Sequence, residues 1–121
     1  MASIGVVCNF YNEHNALSGF LECATSWADN VHLMNAGPGG KYSDDGSIEI
    51  AEKWGVGLSF GSIDAGFGAV RTELVELSGC EWSFIMDADE RFYPWVPIVK
   101  CYGEEAYPPV GRNRLVRMRW R

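Results

Sequence analysis

A chain of 121 residues makes one domain that buries roughly two thirds of its unfolded surface, with no room for a second. Hydrophobic content of 47% with 13% aromatics excludes a disordered chain, and every apolar run falls well short of the ~20 residues that span a bilayer. All sixteen acidic residues precede Arg112, while Arg112, Arg114, Arg117, Arg119 and Arg121 are half of the ten basic ones; an acidic body excludes a general nucleic-acid binder, because phosphate neutralisation supplies most of that affinity.

Ser3 to Cys8 is a short apolar run that predicts a first strand, followed by a polar-aromatic loop from Asn9 to His14. Asn15 can cap a helix in which Leu17, Phe20, Leu21, Ala24 and Trp27 recur at helical spacing, ending before Asp29-Asn30. Val31 to Met34 reads as a second strand. A glycine-rich loop runs from Asn35 to Asp44, and Asp44 or Asp45 can cap a helix that carries Ile48, Ala51 and Trp54 and stops at Gly55. Val56 to Phe60 is the third strand. Phe67, Val70, Leu74 and Leu77 then form one helical face closed by Gly79, and Trp82 to Met86 is an apolar fourth strand. Beyond Arg91, Pro94, Pro97, Pro108 and Pro109 break any long element, and Leu115 to Trp120 reads as a last basic strand.

Four alternations of strand and helix predict an α/β fold: a mostly parallel sheet, right-handed crossovers and helices on both faces. Residues 1–121 are expected to form this single domain, with 93–121 as an irregular, proline-rich segment and basic tail. The loops after the first, second and fourth strands then share one rim. Nothing at the start marks the chain for export, so a cytoplasmic location is expected. Cys8, Cys23, Cys80 and Cys101 lack any Cys-x-x-Cys pairing and are expected to be reduced, mostly buried thiols.

The fourth strand delivers Asp87-Ala88-Asp89-Glu90, three carboxylates in four residues, at the strand end where open α/β sheets bind ligands. Carboxylates packed this closely repel one another, and a hard divalent cation relieves that while bridging to phosphates. The loop Gly37-Pro38-Gly39-Gly40-Lys41 has the outline of a phosphate loop. It fails because Asn35 stands at the first glycine position and Tyr42 at the hydroxyl position, and no Gly-x-Gly-x-x-Gly follows the first strand.

The order of these segments resembles family 2 of the glycosyltransferases, inverting enzymes of the GT-A fold that use nucleotide-sugar donors. The family's opening Tyr-Asn-Glu loop is matched by Tyr11-Asn12-Glu13, its Gly-Ser-like turn and Glu-Ile-Ala helix by Asp45-Gly46-Ser47 and Glu49-Ile50-Ala51, its Ala-x-Arg helix by Gly68-Ala69-Val70-Arg71, and its acidic element by Asp87 to Glu90. Arg112-Asn113-Arg114 looks like a later strand of the same family. The match covers residues 3 to about 92. Asn35 and Ala36 stand where many members carry acidic residues.

The resemblance implies a minimal Rossmann-like GT-A domain. Tyr11 would stack on a uracil base with Asn9 or Asn12 reading its edge, unless its ring simply folds onto the core; Glu13 and Asn35 belong to the same nucleotide-binding set. Arg71 would pair with the diphosphate, or else form an ion pair with an acidic neighbour. Asp87 would touch the ribose or sugar and share with Asp89 the holding of Mn²⁺ or Mg²⁺. The family's acceptor-binding portion, with its catalytic carboxylate, has no match here, which leaves Glu90 and Asp64 as candidate bases. The expected activity is metal-dependent transfer or slow hydrolysis of a nucleotide-sugar, most simply a UDP-sugar, to an unknown acceptor, with homo-oligomerisation open. The alternative is a non-catalytic nucleotide-sugar-binding module.

Overall fold

A computed structural model describes residues 3–92 and the backbone of residues 114–117. The elements are β1 (Ile4–Phe10), α1 (His14–Thr25), β2 (Asn30–Gly37), α2 (Ser47–Trp54), β3 (Gly57–Ser62), α3 (Phe67–Leu77), β4 (Trp82–Ile85) and β5 (Arg114–Arg117). The sheet order is β3-β2-β1-β4-β5, with the first four strands parallel and β5 antiparallel to β4, Ile85 facing Arg114 and Trp82 facing Arg117. The α/β class and the mostly parallel sheet are therefore as expected from the alternation of elements.

Strand β1 sits at the centre and is buried on both faces, as its near-continuous apolar sequence requires. On one face Val6, Cys8, Phe10 and Leu33 pack with Leu17, Phe20 and Leu21 of α1 and Ala51 of α2. On the other, Val7, Met34 and Ile85 pack with Val70, Leu74 and Val75 of α3. Helices thus cover both faces. Among the described residues no helix is long and apolar enough to cross a membrane.

Several boundaries differ from the sequence reading. β1 continues through Asn9 and Phe10, and β2 through Asn35 to Gly37, because parallel pairing carries both strands on to the Phe10–Asn35 register. α1 starts at His14 and ends at Thr25, so Asn15 is not its cap and Trp27 lies beyond it. The cap comes from elsewhere in the chain: Asp45 Oδ2 accepts from His14 N at 3.0 Å and Ser47 Oγ from Glu13 N at 2.9 Å. Asp45 also accepts from Ser47 N at 3.0 Å, so one carboxylate serves the N-termini of both α1 and α2.

Trp54, carried by α2, and Phe67 and Leu77, at the ends of the apolar helical face of α3, are exposed at 40%, 58% and 42%. α2 and α3 bury only the narrow stripes headed by Ala51 and by Val70 and Leu74. Cys8, Cys23 and Cys80 are buried, as expected. Cys101 and the proline-rich segment lie outside the described residues, as does Trp120 of the expected last strand.

Candidate functional site

From β1 the chain moves outward to β2 and β3, then crosses back to place β4 on the other side of β1. The carboxyl ends of β1 and β4 therefore flank a topological switch point, where neighbouring connections leave to opposite faces and open a crevice. A cavity of about 710 Å³ lies there. Its wall includes Asn9 at the end of β1 with Tyr11 and Glu13 beyond it, Ala36 at the end of β2 with Pro38 beyond it, Ile63, Phe67 and Arg71 from the α3 side, and Asp87, Ala88 and Asp89 after β4.

Tyr11 is held by its neighbour across the strands. A Cβ on Gly37 would collide first with Lys41 O and would stand 2.6 Å from Tyr11 Cδ1, so the bare glycine leaves room both for the loop backbone and for the ring, which faces the cavity. Asn12 adopts a left-handed φ of 53°; its Oδ1 accepts from Asp44 N at 2.9 Å, and its N–H donates to Ser43 Oγ at 2.9 Å. These bonds zip the loop after β1 to the loop before α2. Asn12 thus shapes the wall without lining it.

Asn35 serves the second loop. It is fully buried: its Oδ1 accepts from Ser43 N at 2.9 Å and from Ser43 Oγ at 2.6 Å, and its Nδ2 donates to Lys41 O at 2.9 Å. Every polar atom of the side chain is engaged within the loop, and none is turned to the cavity. The stretch read as a long glycine-rich loop is thereby pinned from inside.

Across the crevice, Arg71 Nη2 donates to Asp87 Oδ1 at 3.2 Å. Its Cζ sits 5.6 Å from the Phe67 ring centroid, and its buried Nε has no hydrogen-bond partner among the described residues. The ion pair foreseen as one option for Arg71 thus forms with Asp87, inside the cavity wall rather than on the outer surface. Asp87 N donates to Glu90 Oε1 at 2.8 Å, and Glu90 N to Asp87 O at 3.0 Å, closing a tight turn. Asp64 is drawn to the other loop, where both its oxygens accept from Gly39 N at 3.1 Å. Neither Glu90 nor Asp64 lines the cavity.

The charge balance of the rim is negative. Burial raises the Glu13 carboxyl above its ordinary value, and the charges of Asp89, Asp45 and Asp87 raise it further. Burial, with Asp87 and Glu13 adding to it, pushes the Cys8 thiol far up, which makes it a neutral core thiol rather than a nucleophile. Among the described residues, no three His, Cys, Asp or Glu side chains are grouped closely enough to hold a metal by themselves. The donor chemistry still fits a hard cation shared with a ligand: Asp87 and Asp89 both face the cavity, and Mg²⁺-like ions are typically bound through one or two carboxylates plus phosphate oxygens and water.

No protein-family profile and no curated relative matches the sequence. Solved structures do. The chain is similar to the mannosyltransferase PcManGT from Pyrobaculum calidifontis, determined in complex with GDP-Man and Mn²⁺, with a TM-score of 0.60 and 17% identity over 75% of this chain and 28% of that one. It is also similar to mannosyl-3-phosphoglycerate synthase from Rubrobacter xylanophilus, with a TM-score of 0.60 and 16% identity over 77% of this chain and 33% of that one. The fold is GT-A-like. At these identities the likeness concerns the fold, and this chain spans a third or less of either protein's length.

Of the residues expected at the site, Asn9, Tyr11, Glu13, Arg71, Asp87 and Asp89 come together on one cavity, whereas Asn12, Asn35, Glu90 and Asp64 support its loops. Phe67 and Ile63 were missed as lining residues. An apolar residue at the first position of a helix that points toward a strand-end rim was the available signal for Phe67; Ile63 offered none.

Proposed function

We propose that the chain is the nucleotide-sugar-binding part of a family 2-like, inverting glycosyltransferase, and that its donor is a UDP-sugar. The observation that carries this is the switch-point cavity, with an aromatic ring on the β1 side and an arginine–carboxylate pair on the α3 and β4 side. A nucleoside diphosphate needs such a division: a flat apolar surface for the base, and cationic and metal-binding groups for the phosphates. Support also comes from the fold's likeness to a structure holding GDP-Man and Mn²⁺.

In this reading Tyr11 stacks on the base and Asn9 hydrogen-bonds its edge. Arg71 leaves or shares its bond to Asp87 to meet the diphosphate, which also gives its buried Nε a partner. Asp87 and Asp89 hold a divalent cation, which supplies charge neutralisation for the departing nucleoside diphosphate. Glu13 adds negative charge that strengthens the call for a cation. Asn12 and Asn35 fix the loops, and Glu90 and Asp64 act as positioning residues rather than as bases, since each carboxylate already accepts from a backbone amide.

The experiment is calorimetric titration with UDP and GDP in Mn²⁺, Mg²⁺ and EDTA, paired with UDP release from a panel of UDP-sugars. Tight UDP binding that EDTA abolishes, with slow UDP release, is the expected result. Preference for GDP would replace the donor, and equal binding in EDTA would remove the cation from the site. A second reading, a non-catalytic binding module, is favoured by the absence of Glu90 and Asp64 from the cavity wall; metal-dependent UDP binding with no release from any donor would select it.

A further inference from the structure

We infer that Arg91 is a positioning residue that clamps the Asp87–Glu90 turn onto α1, and that Gly19 lacks a side chain so that this clamp can close. The inference deepens the reading of the cavity given above, because the clamped turn is the one that carries Asp87 and Asp89. Arg91 Nη1 donates to Ala88 O at 2.7 Å and to Glu90 O at 2.8 Å, while Nη2 donates to Ala16 O at 3.0 Å in the first turns of α1. One planar guanidinium therefore joins the turn to the helix, using the fork geometry that a lysine ammonium lacks.

Gly19 lies three residues after Ala16, inside α1. A Cβ there would stand 2.7 Å from Arg91 Nη2 and 3.5 Å from its Cζ and Nε. Glycine in a helix interior lowers helix stability relative to alanine, so its presence in α1 asks for a reason. The approach of the guanidinium gives one. Because the nearest atom is the end of a flexible exposed side chain, a methyl at position 19 displaces the clamp without disturbing the core. Carboxylates that share an ion with a ligand must be held within about 0.5 Å of their working places, and outer partners that fix such groups change metal affinity by about 10–100-fold.

The test uses the full chain with Arg91→Ala, Arg91→Lys, Gly19→Ala and the double variant Gly19→Ala/Arg91→Ala. Three readouts are taken: thermal melting, amide hydrogen exchange at residues 87–90, and titration with UDP and GDP in Mn²⁺. Both alanine single variants should speed exchange at 87–90 and weaken Mn²⁺-dependent nucleotide binding by about 10-fold, the low end for outer-partner loss. Gly19→Ala should nevertheless melt at the same or a higher temperature, which a merely structural role for the contact would not allow. The double variant should be no worse than Arg91→Ala alone, since both remove one interaction. Unchanged exchange in either single variant, additive losses, or full rescue by lysine would overturn the inference. If the wild type binds neither nucleotide, the cavity reading fails, and the exchange result alone decides whether Arg91 and Gly19 form the clamp.

Discussion

Arg71 Nη2 meets Asp87 Oδ1 at 3.2 Å and so joins α3 to the turn after β4, across the cavity mouth. Both side chains are about a third exposed, at 34% and 37%, and such a pair contributes roughly 0–1 kcal/mol to stability. On the proposed reading its importance is for binding. Arg71→Ala should leave the melting curve nearly unchanged and weaken UDP binding by about 1.5–3 kcal/mol, the range for hydrogen bonds to charged groups. Arg71→Lys should recover part of that. A variant that melts early but binds UDP as the wild type does would make the pair structural.

Asp89 is exposed and lines the cavity. Asp89→Ala should therefore stay within about 0.5 kcal/mol of the wild type in stability, as surface changes do, and should lose the difference between Mn²⁺ and EDTA in nucleotide titrations. Retention of that difference would place the cation elsewhere.

Tyr11 presents one part of its ring to Gly37 and lines the cavity with another. Tyr11→Ala should weaken UDP binding by about 1–3 kcal/mol, the scale of base–aromatic stacking, with Tyr11→Phe close to wild type. Gly37→Ala should lower stability as well as nucleotide binding, because its Cβ meets the backbone carbonyl of Lys41 as well as the Tyr11 ring. A large loss for the phenylalanine variant would assign the role to the hydroxyl.

Asn35 distinguishes a loop-building residue from a ligand-binding one. With Lys41 O, Ser43 N and Ser43 Oγ all depending on it in a buried site, Asn35→Ala should destabilise the fold by about 1–3 kcal/mol for each group left unpaired. Chemical denaturation reads this directly. A variant of unchanged stability that loses nucleotide binding would return Asn35 to the cavity.

Two carboxyls should contribute opposite pH dependences to stability. Glu13 has a folded-state value raised above 4.5, first by burial and then by Asp89, Asp45 and Asp87, so the unfolded chain releases this proton first and stability declines as pH rises through that window. For Asp45, burial acts upward but the hydrogen bonds from Ser47 Oγ, His14 N and Ser47 N outweigh it and lower its value below 3.8. Its contribution is present above 3.8 and is lost as pH falls through the folded value. Melting temperature against pH should show Glu13→Gln flattening the upper limb and Asp45→Asn flattening the lower. Parallel curves for all three proteins would remove both assignments.

How much of this was legible beforehand follows from which forces are local. The apolar run before Asp87, the helical spacing of Leu17, Phe20 and Leu21, and the stop at Gly55 are properties of short windows, and each element they predicted is present. The grouping of carboxylates at a strand end was equally readable, because an apolar strand must surface where its charges begin. Only the tertiary structure set β4 beside β1 and so turned two separate loops into the walls of one crevice. It also gave Asp45 rather than Asn15 to the start of α1, turned Asn35 inward to Lys41 and Ser43, drew Asp64 to Gly39, and brought Arg91 onto Ala16 and Gly19. These contacts join residues whose separation along the chain runs from six to seventy-five positions. Periodicity reports which residues of an element share a face, whereas the depth of burial and the partner of a buried polar group depend on strand order and register, which no local pattern encodes.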